Sequence, residues 1–380
     1  MIMTEKRKMG RINFVLNTIK KNPDSSKSEI KKLSGLSMEV VLNYIDYLTK
    51  EGLIYQSKER GDKIGRKAEC YRINPQGAMF IGIKFIARKF QGVLMNFAGE
   101  ILKTYEKNYS GKTMTREQLF ERIDDCITGL LGKSSLTGIT AMGISAPGLV
   151  NFDEGVLKKY QGMADTEEIP VRETLENKYG INVYVCGTTK AKAISYQLTK
   201  SDGEGDYAYV FIGDGCSSAL MYEDKLFCGV ESFDGELGYI RLGCGAEKAE
   251  YLKDVIGNGA IVEKMQKNGF AGLSDIADVV ELANQENGQA CLVLKNAAEA
   301  LAYALSMIML IHAPKEIIIC GDYVTVPSFK ADLLNFLKTY CMKEIQDRVL
   351  LKFIKNEKSD NAFDAAQLCF YKQFYNMKLT

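Results

Sequence analysis

The sequence is poor in the residues that metal sites and disulfide frameworks need. Its 380 residues include one histidine, His312, and ten cysteines that form no Cys-x-x-Cys pair. Several cysteines lie in apolar runs, which predicts reduced, buried thiols in a cytoplasmic protein. No signal peptide is visible and no apolar run approaches about 18 residues, so we expect neither secretion nor insertion into a membrane.

The formal net charge is only +1, but the charges are unevenly divided along the chain. Residues 1–72 carry 16 Lys and Arg against 9 Asp and Glu, whereas the remainder carries 33 against 39. A basic segment ahead of an acidic body is typical of a nucleic-acid-binding module fused to another domain. The length allows two or three domains.

Residues 26–54 have the pattern of a helix-turn-helix. Ser26 and Glu29 have the spacing of a capping box, which predicts the start of a first helix. Gly35 suits a short turn, and Ser37 is placed to cap a second helix. An αα-hairpin with another role is the alternative, but two short helices joined by a tight turn favour reading of the DNA major groove.

The second predicted helix is unusually apolar for one that reads bases. We expect Asn43 to pair with an adenine edge, and Met38 or Val40 to contact thymine methyl groups. Glu39 would repel phosphate unless it accepts a hydrogen bond from a cytosine amine. We therefore predict that basic residues outside this helix, such as Lys27, supply more of the affinity for DNA than usual.

A polar, glycine-punctuated stretch between two short strands follows and predicts the hairpin known as a wing. Basic residues on such a hairpin are placed to contact phosphates or a minor groove. A solvated loop is the alternative for any single one of them. The residues concerned are Lys58, Arg60, Lys63, Arg66 and Lys67.

Beyond about residue 80, clusters of short strands with crossover helices occur twice. This repetition favours an α/β body with two lobes. We expect a winged helix domain at 1–75, a first lobe at 76–195 and a second lobe at 196–380. The chain ends in an amphipathic helix, AAQLCFYKQF.

The order of these motifs resembles the ROK family, which groups bacterial repressors, open reading frames and sugar kinases. The resemblance rests on the winged head followed by the segments IGIKF, MGISAPGLVNFDEGVL, FIGDG, GELG and EIIICGD. It implies an actin-like, ribonuclease H-like body of the ATPase type. Because members with an N-terminal winged helix are regulators, it also implies a transcriptional regulator, expected here to be a repressor of carbohydrate-related genes.

The resemblance also shows that the residues expected of a sugar kinase are missing. Thr188 stands at the position of the family's catalytic aspartate, and a hydroxyl cannot act as a base near neutral pH. Lys84 to Arg88 replace the glycine-rich first phosphate loop, and Asp214 adds negative charge to the second. We therefore predict a catalytically inactive body without ATP or another cofactor.

The family's zinc site is incomplete as well, because Tyr239 stands at its histidine and Cys244 is the one cysteine that remains. One thiolate cannot hold a structural zinc, so we predict no metal. A polar pocket for a sugar or sugar derivative is still expected. The alternative is that Glu236 is a salt-bridged structural residue. The pocket residues would be Gly148, Thr188, Thr189, Glu236 and Tyr239.

The leading hypothesis is a cytoplasmic repressor that binds double-stranded DNA. We expect a homodimer, with a tetramer as the alternative, because helix-turn-helix proteins usually read paired half-sites. Two other hypotheses stay open. One is a carbohydrate kinase with altered chemistry, and the other is a dimeric interaction scaffold that has lost specific DNA binding.

Overall fold

A computed structural model describes residues 2–60, 68–132, 136–165, 167–199, 205–243, 250–356 and 362–375. The contacts divide the chain into two compact units. The first contains residues 1–203 together with 360–380, and the second contains residues 204–359. The final segment of the chain therefore belongs with its beginning.

The head of the first unit is a winged helix. It consists of the helices α1 (Ile2–Lys21), α2 (Lys27–Ser34) and α3 (Met38–Lys50) and the strands β1 (Ser25–Ser26), β2 (Ile54–Arg60) and β3 (Ala68–Ile73). The three strands form one antiparallel sheet in the order β1-β3-β2. The predicted helix-turn-helix and wing strands are confirmed, and α1 is an element that the sequence interpretation did not include.

A five-stranded sheet forms the body of the first unit. Its elements are β4 (Met79–Ile86), β5 (Lys89–Asn96), β6 (Ile101–Asn108), α4 (Arg116–Leu131), β7 (Ile139–Ala146), β8 (Leu149–Asn151), β9 (Val156–Lys159), α5 (Val171–Tyr179), β10 (Asn182–Gly187) and α6 (Thr188–Thr199). The strand order is β10-β7-β4-β5-β6, in which the first three strands are parallel and the last two are added as antiparallel hairpins. Helices α4 and α5 cover one face of the sheet.

The last helix of the chain covers the other face of this sheet. A methyl carbon on Gly143 would lie 1.7 Å from the carbonyl oxygen of Ala365, and one on Gly82 would lie 2.2 Å from that of Ala362. Only glycine permits so close an approach of helix and sheet backbones. The sequence analysis assigned this helix to a second lobe at 196–380. In the structure it belongs to the first unit, so that boundary is wrong. The contact joins residues far apart in the chain, so it leaves no local trace in the sequence.

The second unit repeats the same sheet topology. Its strands are β11 (Tyr207–Ile212), β12 (Cys216–Tyr222), β13 (Lys225–Leu226), β14 (Arg241–Leu242), β15 (Glu250–Tyr251), β16 (Glu316–Gly321) and β17 (Leu350–Lys355). Its main sheet has the order β13-β12-β11-β16-β17, with β11, β16 and β17 parallel. The two-lobed α/β body predicted from the strand clusters is thus confirmed.

The helices of the second unit are α7 (Leu252–Ile256), α8 (Asn258–Lys267), α9 (Ile276–Asn284), α10 (Gly288–His312), α11 (Pro327–Tyr340) and α12 (Lys343–Gln346), and α13 (Phe363–Phe374) then returns to the first unit. Helix α10 is the one helix in the described ranges with the length and apolar composition to cross a membrane. Its most apolar window is 61% buried within the unit, as in the core helix of a globular domain.

Candidate nucleic-acid interface and polar sites

The helix-turn-helix is built by local capping interactions. The backbone N–H of Ser26 donates to the Glu29 carboxylate at 2.7 Å, which completes the predicted capping box of α2. Gly35 takes the left-handed conformation, with φ of 67°, in the turn. Ser37 then caps α3 by accepting a hydrogen bond from the N–H of Val40 at 3.4 Å. Each helix start is therefore stabilised by a hydrogen bond between two residues that are three positions apart in the sequence.

One face of α3 is buried in the head and the opposite face is exposed. Val41, Ile45 and Leu48 are at most 1% exposed and belong to the same hydrophobic cluster as Ile30 of α2. The helical period then decides which residues lie on the outward face and which lie on its flanks. Of these, Glu39, Leu42, Asn43 and Asp46 are exposed, and Met38 and Val40 are half-buried.

Lys27 has a partner within the head. Its ammonium lies 2.5 Å from the Glu69 carboxylate on β3, and the hydroxyl of Tyr71 donates to the same carboxylate at 3.0 Å. The hydrogen bond to Glu69 raises the pKa of Lys27. The next lysines of α2, Lys31 and Lys32, are exposed and have no ion pair within the described ranges. A DNA phosphate would have to compete with Glu69 for Lys27. At Lys31 and Lys32 it would have no such competitor among the described residues.

The base of the wing is held by a buried aspartate, whereas its tip lies outside the described residues. Asp24 accepts hydrogen bonds from Ser57 at 2.5 Å and from Nε of Arg72 at 2.7 Å. Arg60 ends β2 opposite Ala68. The predicted contact residues Lys63, Arg66 and Lys67 fall within 61–67, so their roles stay predictions.

The head is joined to the last helix by polar contacts from α1. The side-chain amides of Asn13 and Asn17 donate to the carbonyl oxygens of Gln373 at 3.1 Å and Phe374 at 2.6 Å. These carbonyls belong to the end of α13, where the helix itself offers no donor. Head and body also share one hydrophobic cluster, which includes Ile12, Ile19, Phe80, Phe97 and Phe370.

Three of the five residues predicted for an effector lie at one edge of the first sheet. Thr188 begins α6, and its hydroxyl donates to the carbonyl oxygen of Ala146 at 3.5 Å. Thr189 is buried. Gly148 has φ of 79°, and a methyl carbon there would lie 2.1 Å from the carbonyl oxygen of Lys159, so no side chain fits. The geometry thus places Thr188 and the loop after β7 side by side.

The other two predicted effector residues belong to the second unit. Glu236 precedes a short 3₁₀ helix, Leu237–Tyr239. Tyr239 is 53% exposed, and the centre of its ring lies 5.9 Å from the centre of the Tyr251 ring. Burial raises the pKa of the Cys216 thiol to about 12, and the negative charge of Glu236 is a second, smaller cause of this shift. Glu236 therefore lies near a buried thiol that is protonated at neutral pH.

A buried charged cluster in the first unit was missed by the sequence interpretation. The ammonium of Lys192 on α6 lies 3.4 Å from the carboxylate of Asp364 on α13, and their side chains are 7% and 9% exposed. Burial raises the pKa of Asp364, and the charge of Lys192 opposes that shift. The available signal was the pair Lys190 and Lys192 among the small residues that open α6, since buried lysines are rare.

The main chain of the loop after β4 is already used in hydrogen bonds within the first unit. After β4, the N–H of Ala87 donates to the hydroxyl of Tyr160 at 3.0 Å, and Arg122 donates to the Ala87 carbonyl oxygen at 2.7 Å. Both main-chain groups of Ala87 are therefore hydrogen-bonded. Ala87 belongs to the loop that replaces the first phosphate loop of the family.

The corresponding loop of the second unit is acidic. The carboxylate of Asp214 is exposed, and Asp322 after β16 accepts a hydrogen bond from the Asn258 side chain at 2.7 Å. Two carboxylates at one sheet edge disfavour a polyphosphate.

The metal prediction concerns a segment that is only partly described. Cys244 lies outside the described residues. Elsewhere in the described ranges, no group of three or more His, Cys, Asp and Glu side chains is arranged to hold a metal ion. The expectation of no metal continues to rest on the missing histidine and cysteines.

These features define a class of protein, an α/β body of two repeated lobes that carries an N-terminal winged helix. The sequence pattern of the ROK family matches residues 80–368, and the chain belongs to that family. The fold and the family expected from the sequence are both confirmed.

Known proteins of both functional branches resemble the chain. The xylose repressor of Caldicellulosiruptor bescii is 24% identical, over 96% of this chain and 90% of that protein. The crystal structure of a ROK family transcriptional regulator, a homologue of the E. coli MLC protein, matches with a TM-score of 0.79 and 18% identity over 97% of each chain. A ROK family glucokinase from Streptomyces griseus matches with a TM-score of 0.63 and 18% identity over 77% of this chain and 99% of its own.

Proposed function

We propose that the protein is a DNA-binding transcriptional repressor of carbohydrate-related genes. The observation that carries this proposal is the head, in which α3 is capped, braced by α2 and exposed along one face, as a helix that enters the major groove must be. The similarity to a xylose repressor over nearly the whole chain supports the same function.

The body acts as an effector and dimerisation domain and not as a kinase. Thr188 offers no base for a sugar hydroxyl, the Ala87 N–H after β4 already donates to Tyr160, and the loop after β11 carries the exposed carboxylate of Asp214. A sugar or sugar derivative binds through Gly148, Thr188 and Thr189 of the first unit. Glu236 and Tyr239 of the second unit are separate candidates for contacts to an effector. The protein works in the cytoplasm, where both its DNA and the imported sugar are found.

DNA is bound by a homodimer, because each head reads one half-site. Contacts to bases come from Met38, Glu39, Val40 and Asn43. Contacts to phosphates come from Lys31 and Lys32, from Lys27 when it leaves Glu69, and from the wing residues Arg60, Lys63, Arg66 and Lys67.

A gel-shift titration on the protein's own promoter region tests the proposal. We expect salt-sensitive binding that an unrelated fragment of equal length does not compete, and weakening by D-xylose or D-glucose. The double change Lys31→Ala and Lys32→Ala is expected to weaken binding at least tenfold. Lys338→Ala, on the exposed side of α11, is the matched control and leaves binding unchanged.

Two outcomes contradict the proposal. Binding that is equal for promoter and unrelated DNA would remove the repressor function and favour a scaffold. Phosphoryl transfer from ATP to D-xylose, D-glucose or N-acetyl-D-glucosamine, lost on changing Thr188→Val, would instead make the body an enzyme.

A further inference from the structure

The outward face of α3 is acidic, which is unusual for a helix that enters DNA. Because Val41, Ile45 and Leu48 are buried, Glu39, Asn43 and Asp46 lie on the opposite side, and all three are exposed. The helix carries no lysine or arginine before its last residue, Lys50. Its surface charge therefore opposes, rather than assists, approach to phosphates.

Glu39 differs from the other glutamates that the structure describes near α2. Glu29 completes the capping box and Glu69 holds Lys27, so both carboxylates are used inside the head. Glu39 lies in the first turn of α3 and makes no hydrogen bond or ion pair within the described ranges. Its carboxylate is thus available to a ligand at the end of the helix that contacts base edges in such motifs.

A carboxylate in the major groove has few partners. Phosphates on both sides of the groove repel it at every sequence, whereas the exocyclic amine of cytosine offers it a hydrogen bond. Asn43 lies one turn further along the helix. Its side-chain amide is able to pair with the N6 donor and the N7 acceptor of an adenine. Four residues of helix rise about 6 Å, which is close to two base-pair steps of about 3.4 Å.

We infer that Glu39 is a specificity-determining residue, which accepts a hydrogen bond from the 4-amino group of a cytosine in each half-site and penalises binding to all other DNA. The inference rests on the proposed DNA-binding function. Asn43 reads an adenine about two base pairs away. Discrimination then arises as much from rejecting wrong sequences as from binding the right one.

The test begins with selection of binding sites from random duplex DNA by the full-length protein. We expect a required C·G pair about two base pairs from a required A·T pair. Replacing that C·G by T·A, or the cytosine by its analogue without the 4-amino group, should weaken binding by about 5- to 100-fold. Glu39→Met, which removes both acceptor oxygens, should remove this preference while tightening binding to random DNA.

Asp46→Asn is the matched control, because Asp46 is exposed on the same face and the change removes the same charge. It should tighten binding to all DNA but leave the cytosine preference intact. If the two variants behave alike, or if Glu39→Met lowers only the melting temperature of the free protein, Glu39 merely contributes charge or stabilises the helix start, and the inference is wrong. Failure of the wild type to select any sequence would instead contradict the proposed function.

Discussion

The two five-stranded sheets share one topology but differ in the charge at the carboxyl ends of their parallel strands. The first sheet has Lys84 near the end of β4, and Lys190 and Lys192 at the start of α6. The second has Asp214 after β11 and Asp322 after β16. The two units therefore share their strand pairing and differ in the charge at the strand ends.

This contrast supports the proposal that the body does not act as a kinase. Ligands of open α/β sheets bind at the carboxyl ends of the strands, so these positions decide the activity. A phosphate-binding edge needs free backbone amides and no carboxylate. In the first unit the N–H of Ala87 already donates to the hydroxyl of Tyr160, and in the second unit the loop after β11 carries the exposed carboxylate of Asp214.

The sheets also differ in how a helix is packed on them. In the first unit, α13 lies against the glycines Gly82 and Gly143 of the sheet. In the second unit, residues with side chains, such as Val210 and Ile319, belong to the core with α10. The first contact depends on the close approach of two backbones, and the second depends on side-chain packing. A methyl group added to a sheet glycine should therefore disrupt the first kind of contact.

The largest effect is expected from Gly143→Ala. The new methyl carbon would lie 1.7 Å from the Ala365 carbonyl oxygen, and α13 cannot yield without leaving the sheet. We expect a loss of more than about 4 kcal/mol in the free energy of unfolding, measured by urea denaturation. Gly187→Ala on β10 is the control, because nothing lies within 4 Å of its added methyl group. Equal stability of the two variants would contradict the close approach.

A large effect is also expected from breaking the buried pair. Lys192→Met leaves the Asp364 carboxylate without the ammonium 3.4 Å away, and should cost about 3 kcal/mol. Adding Asp364→Leu should restore much of the loss, since an apolar pair avoids burying a charge. If the double variant is as unstable as the sum of both single changes, the two groups do not interact.

The pH dependence of the same pair has a definite sign. Burial raises the pKa of Asp364 in the folded protein, so the folded state holds a proton that the unfolded state has lost. Stability from this group therefore falls as the pH rises from about 3.8 through the raised pKa. Asp364→Asn should remove that slope in denaturation measured across the acidic range.

The features predicted correctly from the sequence are those that depend on neighbours along the chain. The capping box of Ser26 and Glu29 and the turn at Gly35 involve residues within three positions, and these were confirmed. Helix α1 also had a readable signal, because Ile12, Val15, Leu16 and Ile19 recur at helical spacing and are buried. This spacing is local, so α1 is a helix that a single sequence is able to predict.

The features that were missed depend on distant partners. The place of α13 in the first unit follows from Gly82 and Gly143, which lie more than 200 residues earlier. The pair Lys192 and Asp364 likewise joins two helices separated by the whole second unit. A single sequence gives no pairing information over such separations, so α13 was assigned to the unit that precedes it.

A moderate effect is expected at the acidic edge of the second sheet. Asp322 accepts hydrogen bonds from the side-chain amides of Asn258 at 2.7 Å and Asn356 at 3.4 Å. Asp322→Asn weakens these charge-assisted bonds and should cost about 2 kcal/mol by urea denaturation. Asp214→Asn, at an exposed carboxylate of the same edge, should leave stability unchanged. A loss of equal size in both variants would mean that the edge is stabilised by charge alone.

The smallest effect concerns the contact between the head and α13. The ammonium of Lys20 lies 3.4 Å from the centre of the Phe370 ring, and burial lowers the pKa of Lys20 to about 8. The folded state therefore loses a proton near pH 8 that the unfolded state keeps to about 10.5, so stability from this group rises over that interval. Lys20→Met should raise the free energy of unfolding by about 1 kcal/mol at pH 7, and its advantage over the wild type should shrink between pH 8 and pH 10. Lys21→Met, at the exposed neighbour, serves as control, and an advantage that does not change with pH would contradict the burial of the Lys20 charge.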